Sequence, residues 1–176
     1  MRYRRCSKIP NVSDKNSNHF LKASDWQKRV AQLDRIKTIF QKVTEVYSQN
    51  VHYVAISYLM RHFQPEIISQ INDLRSSVAK AACGLVGWMA VVHPQEFGSQ
   101  GPKSGGNGVR YFKDDALYKL IGCGIKTLSD MAHATIVEIL EATQIAKLAP
   151  MLNQYLGSKN TLLRLRTAQY YEICMN

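Results

Sequence analysis

Between Asp25 and Phe40 the chain reads DWQKRVAQLDRIKTIF, with apolar residues at Trp26, Val30, Leu33, Ile36 and Phe40 and charged residues at Lys28, Arg29, Asp34, Arg35 and Lys37. Spacings of three and four put the apolar set on one face of an α-helix. Ser24 or Asp25 can accept bonds from the free N–H groups of the first turn, so a helix is predicted from there to about Val43. Comparable openings follow at Asp73 (DLRSSVAKAACGLVGWM), Lys126 (KTLSDMAHATIVEIL) and Asn160 (NTLLRLRTAQYYEICM). Aligned on those starts, the sixth position is Val30, Val78, Met131 and Leu165, the ninth Leu33, Ala81, Ala134 and Ala168, and the fifteenth Ile39, Gly87, Leu140 and Cys174. The columns stay apolar or small while identities change. Each unit is preceded by another apolar helix, and one such pair cannot bury its own inner face, so neighbours must stack. The predicted fold is all-α: an α-α superhelix, a solenoid of HEAT type with about four helical hairpins.

The segments between these units complete the outline. Val51–Phe63 (VHYVAISYLMRHF) reads as an aromatic-rich helix, after which Pro65 either opens a new helix at its first turn or kinks the old one. The small residues of the second unit (Ser76, Ser77, Ala79, Ala81, Ala82, Gly84, Gly87) permit close helix approach, which makes it the element expected to be most buried. His93-Pro94 closes it. Gly98–Gly108 (GSQGPKSGGNG) has no apolar residue, so a flexible insertion is expected over residues 93–110. A helix from Tyr111 to Leu120 ends at Gly122 and Gly124, and another spans Thr143–Leu156, with Pro150 marking a bend or the true start and Gly157 a good cap. Residues 1–18 lack periodicity and read as a disordered basic tail, His19–Ala23 as the stub of a helix, and residues 19–176 as the repeat domain.

Charge changes the picture through its distribution. The net charge is +10; residues 1–42 carry eleven Lys and Arg against three acids, residues 43–142 eight against nine, and residues 143–176 four against one. An excess at both ends favours an acidic partner, whether nucleic acid, anionic membrane or an acidic protein surface. With 176 residues and 45% hydrophobic content, one soluble domain is expected. No apolar run has the length of a membrane span, and Met1–Pro10 lacks the apolar stretch of a secretory signal. Its arginines and the lack of an acid before Asp14 are shared with mitochondrial transit peptides, but an exposed basic tail accounts for the same residues, and a cytoplasmic location is expected. Cys6, Cys83, Cys123 and Cys174 have no CxxC spacing, so buried, reduced thiols are expected, not a zinc site or redox pair.

Candidate chemistry is sparse. His19, His52, His62, His93 and His133 are scattered along the chain without metal-ligand spacing, and His133 lies among apolar neighbours. Gly101-Pro102-Lys103-Ser104 is no phosphate loop, Gly122-Cys123-Gly124 is no dinucleotide fingerprint, and Asp114-Asp115 read as first-turn helix acids. No enzyme, cofactor or metal site is expected. The turns between paired helices of a solenoid line up along one edge, which would gather Trp26, Asn72–Arg75, Lys126-Thr127 and Lys159–Arg164 into a strip suited to protein recognition. Two readings of Trp26 stay open on pattern alone: an aromatic anchor on that edge, or a first-turn core residue.

Three segments carry a family resemblance. DWQKRVAQLDRIKTIF resembles the DW-x-K-R-V opening of TOG domains in the cytoplasmic-linker-associated protein (CLASP) family; DLRSSVAKAACGL is similar to its second-repeat DLRSQV-x-x-x-A; SKNTLLRLRTAQYYEI resembles its fourth-repeat SKN-T-x-VR-x-R-x-x-EY. They occur in the family's order over roughly Ser24–Cys174. The resemblance implies a paddle of HEAT repeats whose turn edge binds tubulin and microtubules and so regulates polymer dynamics. It further implies that Trp26 inserts on β-tubulin and that Arg75, Lys126, Lys159 and Arg164 approach the tubulin surface toward α-tubulin. TOG domains usually carry six repeats and four are legible here, so a truncated or short form is expected, with self-association or further repeats covering its C-terminal end. A microtubule-associated, cytoskeletal module is the leading reading. The alternatives are a helical-repeat nucleic-acid binder, disfavoured because the cations sit at helix openings, and a generic HEAT-repeat scaffold; no membrane partner is expected.

Overall fold

The computed structural model describes residues 25–46, 49–98, 108, 111, 115–143 and 148–175. The expected tail, the His19–Ala23 stub and most of the glycine-rich stretch lie outside these residues. The helices are α1 (Trp26–Val46), α2 (Gln49–Ile71), α3 (Ser76–Val92), α4 (Pro94–Gly98), α5 (Ala116–Ile121), α6 (Lys126–Thr143), α7 (Leu148–Leu156) and α8 (Thr161–Met175), and no strand occurs among the described residues. The chain is an all-α array of stacked helical hairpins.

α1, α3, α6 and α8 form one layer, each packing on the next, while α2, α5 and α7 cover it from the outside against α3, α6 and α8 respectively. Residues at similar depth from the N-terminus of each inner helix meet across it. Lys37 Nζ lies 5.1 Å from the centre of the Trp88 ring, and Phe40 meets the same ring edge-on at 6.5 Å. A methyl group on Gly87 would run into the Glu138 carboxylate, Arg166 pairs with Asp130 at 2.9 Å, and His133 Nδ1 lies 2.9 Å from the Tyr170 hydroxyl. The inner helices are therefore parallel, and their N-termini share one edge of the array.

Inner helices begin at Trp26, Ser76, Lys126 and Thr161, spacings of 50, 50 and 35 residues. The alignment on Asp73 and Lys126 is thus out of register by two residues in the second unit and one in the third, and Ala134, Ala168 and Leu165 from its columns are exposed. Counted from the residue before each helix, the eleventh residue on is Ile36, Val86, Ile136 and Tyr171, of which the first three are buried. Small residues shift an amphipathic alignment easily because alanine tolerates either face. The core they build is continuous from Leu33 and Phe40 to Leu152 and Tyr170.

Pro65 neither starts nor ends a helix: α2 runs through it. Losing one backbone bond inside a helix costs about 3 kcal/mol, whereas each large apolar side chain taken from water contributes about 1.5–3 kcal/mol. Leu59, Met60, Phe63, Ile67 and Ile71 are buried on either side of an exposed Pro65, so packing wins. Residues at the start of the expected insertion are also folded. His93 caps α3 by donating its N–H to Met89 O at 3.0 Å, and α4 follows with Glu96 and Phe97 buried. Phe97 stacks on buried Tyr111 at 5.8 Å, and Gly108 N–H donates to Phe97 O at 2.8 Å, so the two flanks of residues 99–107 are joined. Pro150 stands in the first turn of α7, where its missing N–H breaks no helical bond.

Gly84 lies exposed in α3 with no heavy atom within 4 Å of the place where a Cβ would stand. Gly84→Ala should raise unfolding free energy by about 0.5–1 kcal/mol, read by urea denaturation, through reduced backbone freedom in the unfolded chain. The His133 imidazole titrates below its ordinary value of 6.5, first because burial disfavours its charged form and second because Arg166 is near, with Asp130 opposing both. Its unfolded form takes a proton that the folded form refuses, so this contribution is complete above pH 6.5 and is lost as pH falls below it. Denaturation at a series of pH values should show that decline, and His133→Gln should flatten part of it.

Candidate functional site

The shared edge is built turn by turn. At the opening of α1 the Asp25 carboxylate accepts the Gln27 N–H at 2.9 Å, leaving Trp26 in the first turn with its side chain 39% exposed and outside the apolar core. The indole packed against the core is the partly buried Trp88, on α3. In the turn before α3, Asp73 accepts the Arg75 N–H at 2.9 Å and pairs with the Arg29 guanidinium from the first turns of α1. Both side chains are only 13% and 16% exposed, which strengthens the pair beyond a surface contact and ties the first two openings together.

The third opening, Gly122–Ile125, is held by the Ser129 hydroxyl donating to Ile121 O at 2.9 Å and by the Cys123 N–H donating to Leu120 O at 3.2 Å. The fourth is capped by Asn160, whose Oδ1 accepts the Leu163 N–H at 3.2 Å. Its amide nitrogen lies 3.5 Å from where a Cβ on Gly122 would be, so the last two turns also touch. Arg164 donates from Nη1 to Ser158 O at 2.6 Å and from Nη2 to Thr161 Oγ1 at 3.2 Å, bracing its own turn.

Arg75, Lys126 and Lys159 are exposed on this edge, as Trp26 is. Exposed apolar side chains stand among these cations: Leu74 and Leu162 fall inside the expected strip, and Ile125 is added to it. Leu74 is 101% exposed beside Arg75, Ile125 is 54% exposed beside Lys126, and Leu162 is exposed two residues after Asn160. Each opening thus presents a large apolar side chain next to a cation, starting with Trp26 and Lys28. An apolar residue at a helix opening is the one sequence signal, since the helix periodicity that marks core positions does not reach into a turn. Apolar anchors ringed by polar groups are the composition of protein-recognition surfaces.

At the other end of the inner layer, histidines that are far apart in the sequence meet. His52 from α2, His93 at the end of α3 and Glu96 from α4 converge, with one ligand-capable atom of each lying within 4.8 Å of the others. His52 Nδ1 is 3.5 Å from Glu96 Oε1, and the His52 and His93 rings are 5.5 Å apart. His93 and Glu96 are buried; burial holds the His93 imidazole below its usual value, with Glu96 opposing and His52 adding to the effect. Forty-one residues separate His52 from His93, so no local spacing announced the meeting. Elsewhere, burial pushes the Cys83 thiol up to about 12, which keeps it an inert core residue; Cys123 and Cys174 are half-buried free thiols. No helix among the described residues is long and apolar enough to cross a membrane.

Comparison with known proteins gives this architecture a lineage. The family model described as CLASP N terminal matches residues 9–176, nearly the whole chain. An uncharacterized protein of Dictyostelium discoideum is 24% identical over 156 residues, a match covering 88% of this chain and 17% of that protein. The chain therefore corresponds to about a sixth of that relative's length.

Proposed function

Since this chain belongs to the family of CLASP N-terminal domains, we propose that it is a non-enzymatic, microtubule-associated HEAT-repeat module of the cytoskeleton that binds tubulin through the shared edge of helix openings. The observation that carries this reading is the parallel stacking of α1, α3, α6 and α8, which lines up four openings that each pair an exposed apolar side chain with a cation. Trp26 is the anchor, and Arg75, Lys126 and Lys159 supply positive charge toward an acidic partner. Arg164 contributes through the turn that it braces and through its charge. Residues 19–176 form the binding domain, and the basic segment 1–18 adds to electrostatic steering.

Co-sedimentation with microtubules and titration with free tubulin test the proposal. Trp26→Ala should weaken binding by roughly thirtyfold, the loss of about 2 kcal/mol expected of an aromatic anchor, with little change in melting temperature. Lys159→Glu should slow association and flatten the salt dependence. Retention on DNA or RNA with none on microtubules, in parallel assays, would overturn the reading.

A further inference from the structure

We propose that His52, His93 and Glu96 form a binding site for one divalent transition-metal ion, with zinc(II) the best match to the ligand set. The Thr44 hydroxyl lies 2.9 Å from Phe40 O and donates its single proton there, so toward His52 Nε2, at 3.3 Å, it can only accept. His52 therefore carries a proton on Nε2, and in the neutral ring the lone pair is on Nδ1. That lone pair faces the Glu96 carboxylate at 3.5 Å, an arrangement of two acceptors that a cation between them would satisfy. Protonating His52 would also satisfy it, but would leave a third group unanswered. His93 Nε2 is buried and has no hydrogen-bond partner, and a buried polar atom left so is costly. His93 converges on the same point as His52 and Glu96, so a single metal ion there would engage all three side chains.

The site has the other marks of a built centre. Two imidazoles and one carboxylate are the donor set of three-ligand zinc sites that keep a fourth position for water or a further ligand, and borderline nitrogen donors select zinc over magnesium or calcium. Tetrahedral coordination at ordinary zinc–ligand distances places donor atoms about 3.3 Å apart. The ligand-capable atoms of the three side chains lie within 4.8 Å of one another, the range from which such a set would contract onto an ion. Thr44 Oγ1 orients the His52 ring through its contact with Nε2, as hydrogen-bond partners of ligating histidines do. Phe40, with its ring 6.0 Å from that of His93, and Trp88, edge-on at 5.8 Å, wall the site with apolar surface. The ion would pin α2 to the α3–α4 junction, at the end of the inner layer away from the Trp26 edge, so its effect on stability is separable from partner binding.

The test uses the full chain, stripped with a chelator and titrated with zinc chloride or cobalt chloride. Expected are one equivalent bound, a visible d–d absorption band with cobalt(II), a melting temperature that rises with zinc concentration, and a change in Trp88 emission read in a Trp26→Phe background. His52→Gln and His93→Gln should each weaken binding at least a hundredfold, while His133→Gln leaves it unchanged. Should His93→Gln fail to fold, Thr44→Val carries the test, with an expected loss of about ten- to a hundredfold once the His52 ring loses its orienting partner. Zinc affinity unchanged in His52→Gln, no saturable binding by the wild-type chain, or a sulfur-to-cobalt charge-transfer band pointing to cysteine ligands would each overturn the proposal.

Discussion

The packing of α1, α3, α6 and α8 on one another is the constraint on which the rest of the molecule depends. None of these helices can bury its apolar face within its own hairpin, and the removal of Leu33, Ile36, Phe40, Val86, Met89, Ile136 and Ile139 from water happens only between units. α3 makes this possible because Ala79, Ala82, Gly87 and Ala90 keep its surface low on the faces that neighbours approach. Parallel stacking is the outcome, and it carries the helix openings to one edge and the helix ends to the other. The shared edge of helix openings arises from the core geometry without any local motif of its own.

Charges at the edge divide between two kinds of work. Arg29 and Asp73 are largely shielded from solvent and hold the first opening to the second; removing one partner would leave the other's charge partly buried and unpaired, which is why such a pair is a positioning element more than a source of affinity. Arg164 is similarly engaged by Ser158 and Thr161. Lys126 and Lys159 instead stand exposed. A basic sequence segment therefore says little about which cation reaches a partner, since a guanidinium with several donors is drawn into turn carbonyls while a lysine ammonium stays hydrated.

The two ends of the inner layer differ in polarity for a related reason. Helix openings expose N–H groups that carboxylates and amides such as Asp25, Asp73 and Asn160 satisfy, so the edge stays open to solvent. At the closing end, α3 stops at His93 and the chain folds back through α4, burying Phe97 against Tyr111 and enclosing His93 and Glu96 beside His52. Polar groups are thereby trapped in an apolar setting, which gives that corner the capacity for metal chemistry that the open edge lacks.

Local periodicity was enough to determine the helical class, the four inner helices and the order of the hairpins, because an amphipathic stripe such as Trp26–Phe40 follows from residue spacing alone. Segment resemblance was enough to identify the lineage that the match over residues 9–176 shows. The sequence also singled out Trp26 and the cations at the openings, since both lie where helices begin. It did not determine the register of α3 and α6, because their alanines and glycine fit either face, nor the passage of α2 through Pro65, which rests on burial on both sides of the ring. Only the tertiary structure decided that Trp26 is exposed while Trp88 is packed, that Leu74 and Ile125 stand out from their turns, and that Arg164 folds back on its own backbone. Only it brought His52 to His93 and Glu96, because that meeting depends on α4 turning back against α2, a contact between segments distant in the chain that no local pattern encodes.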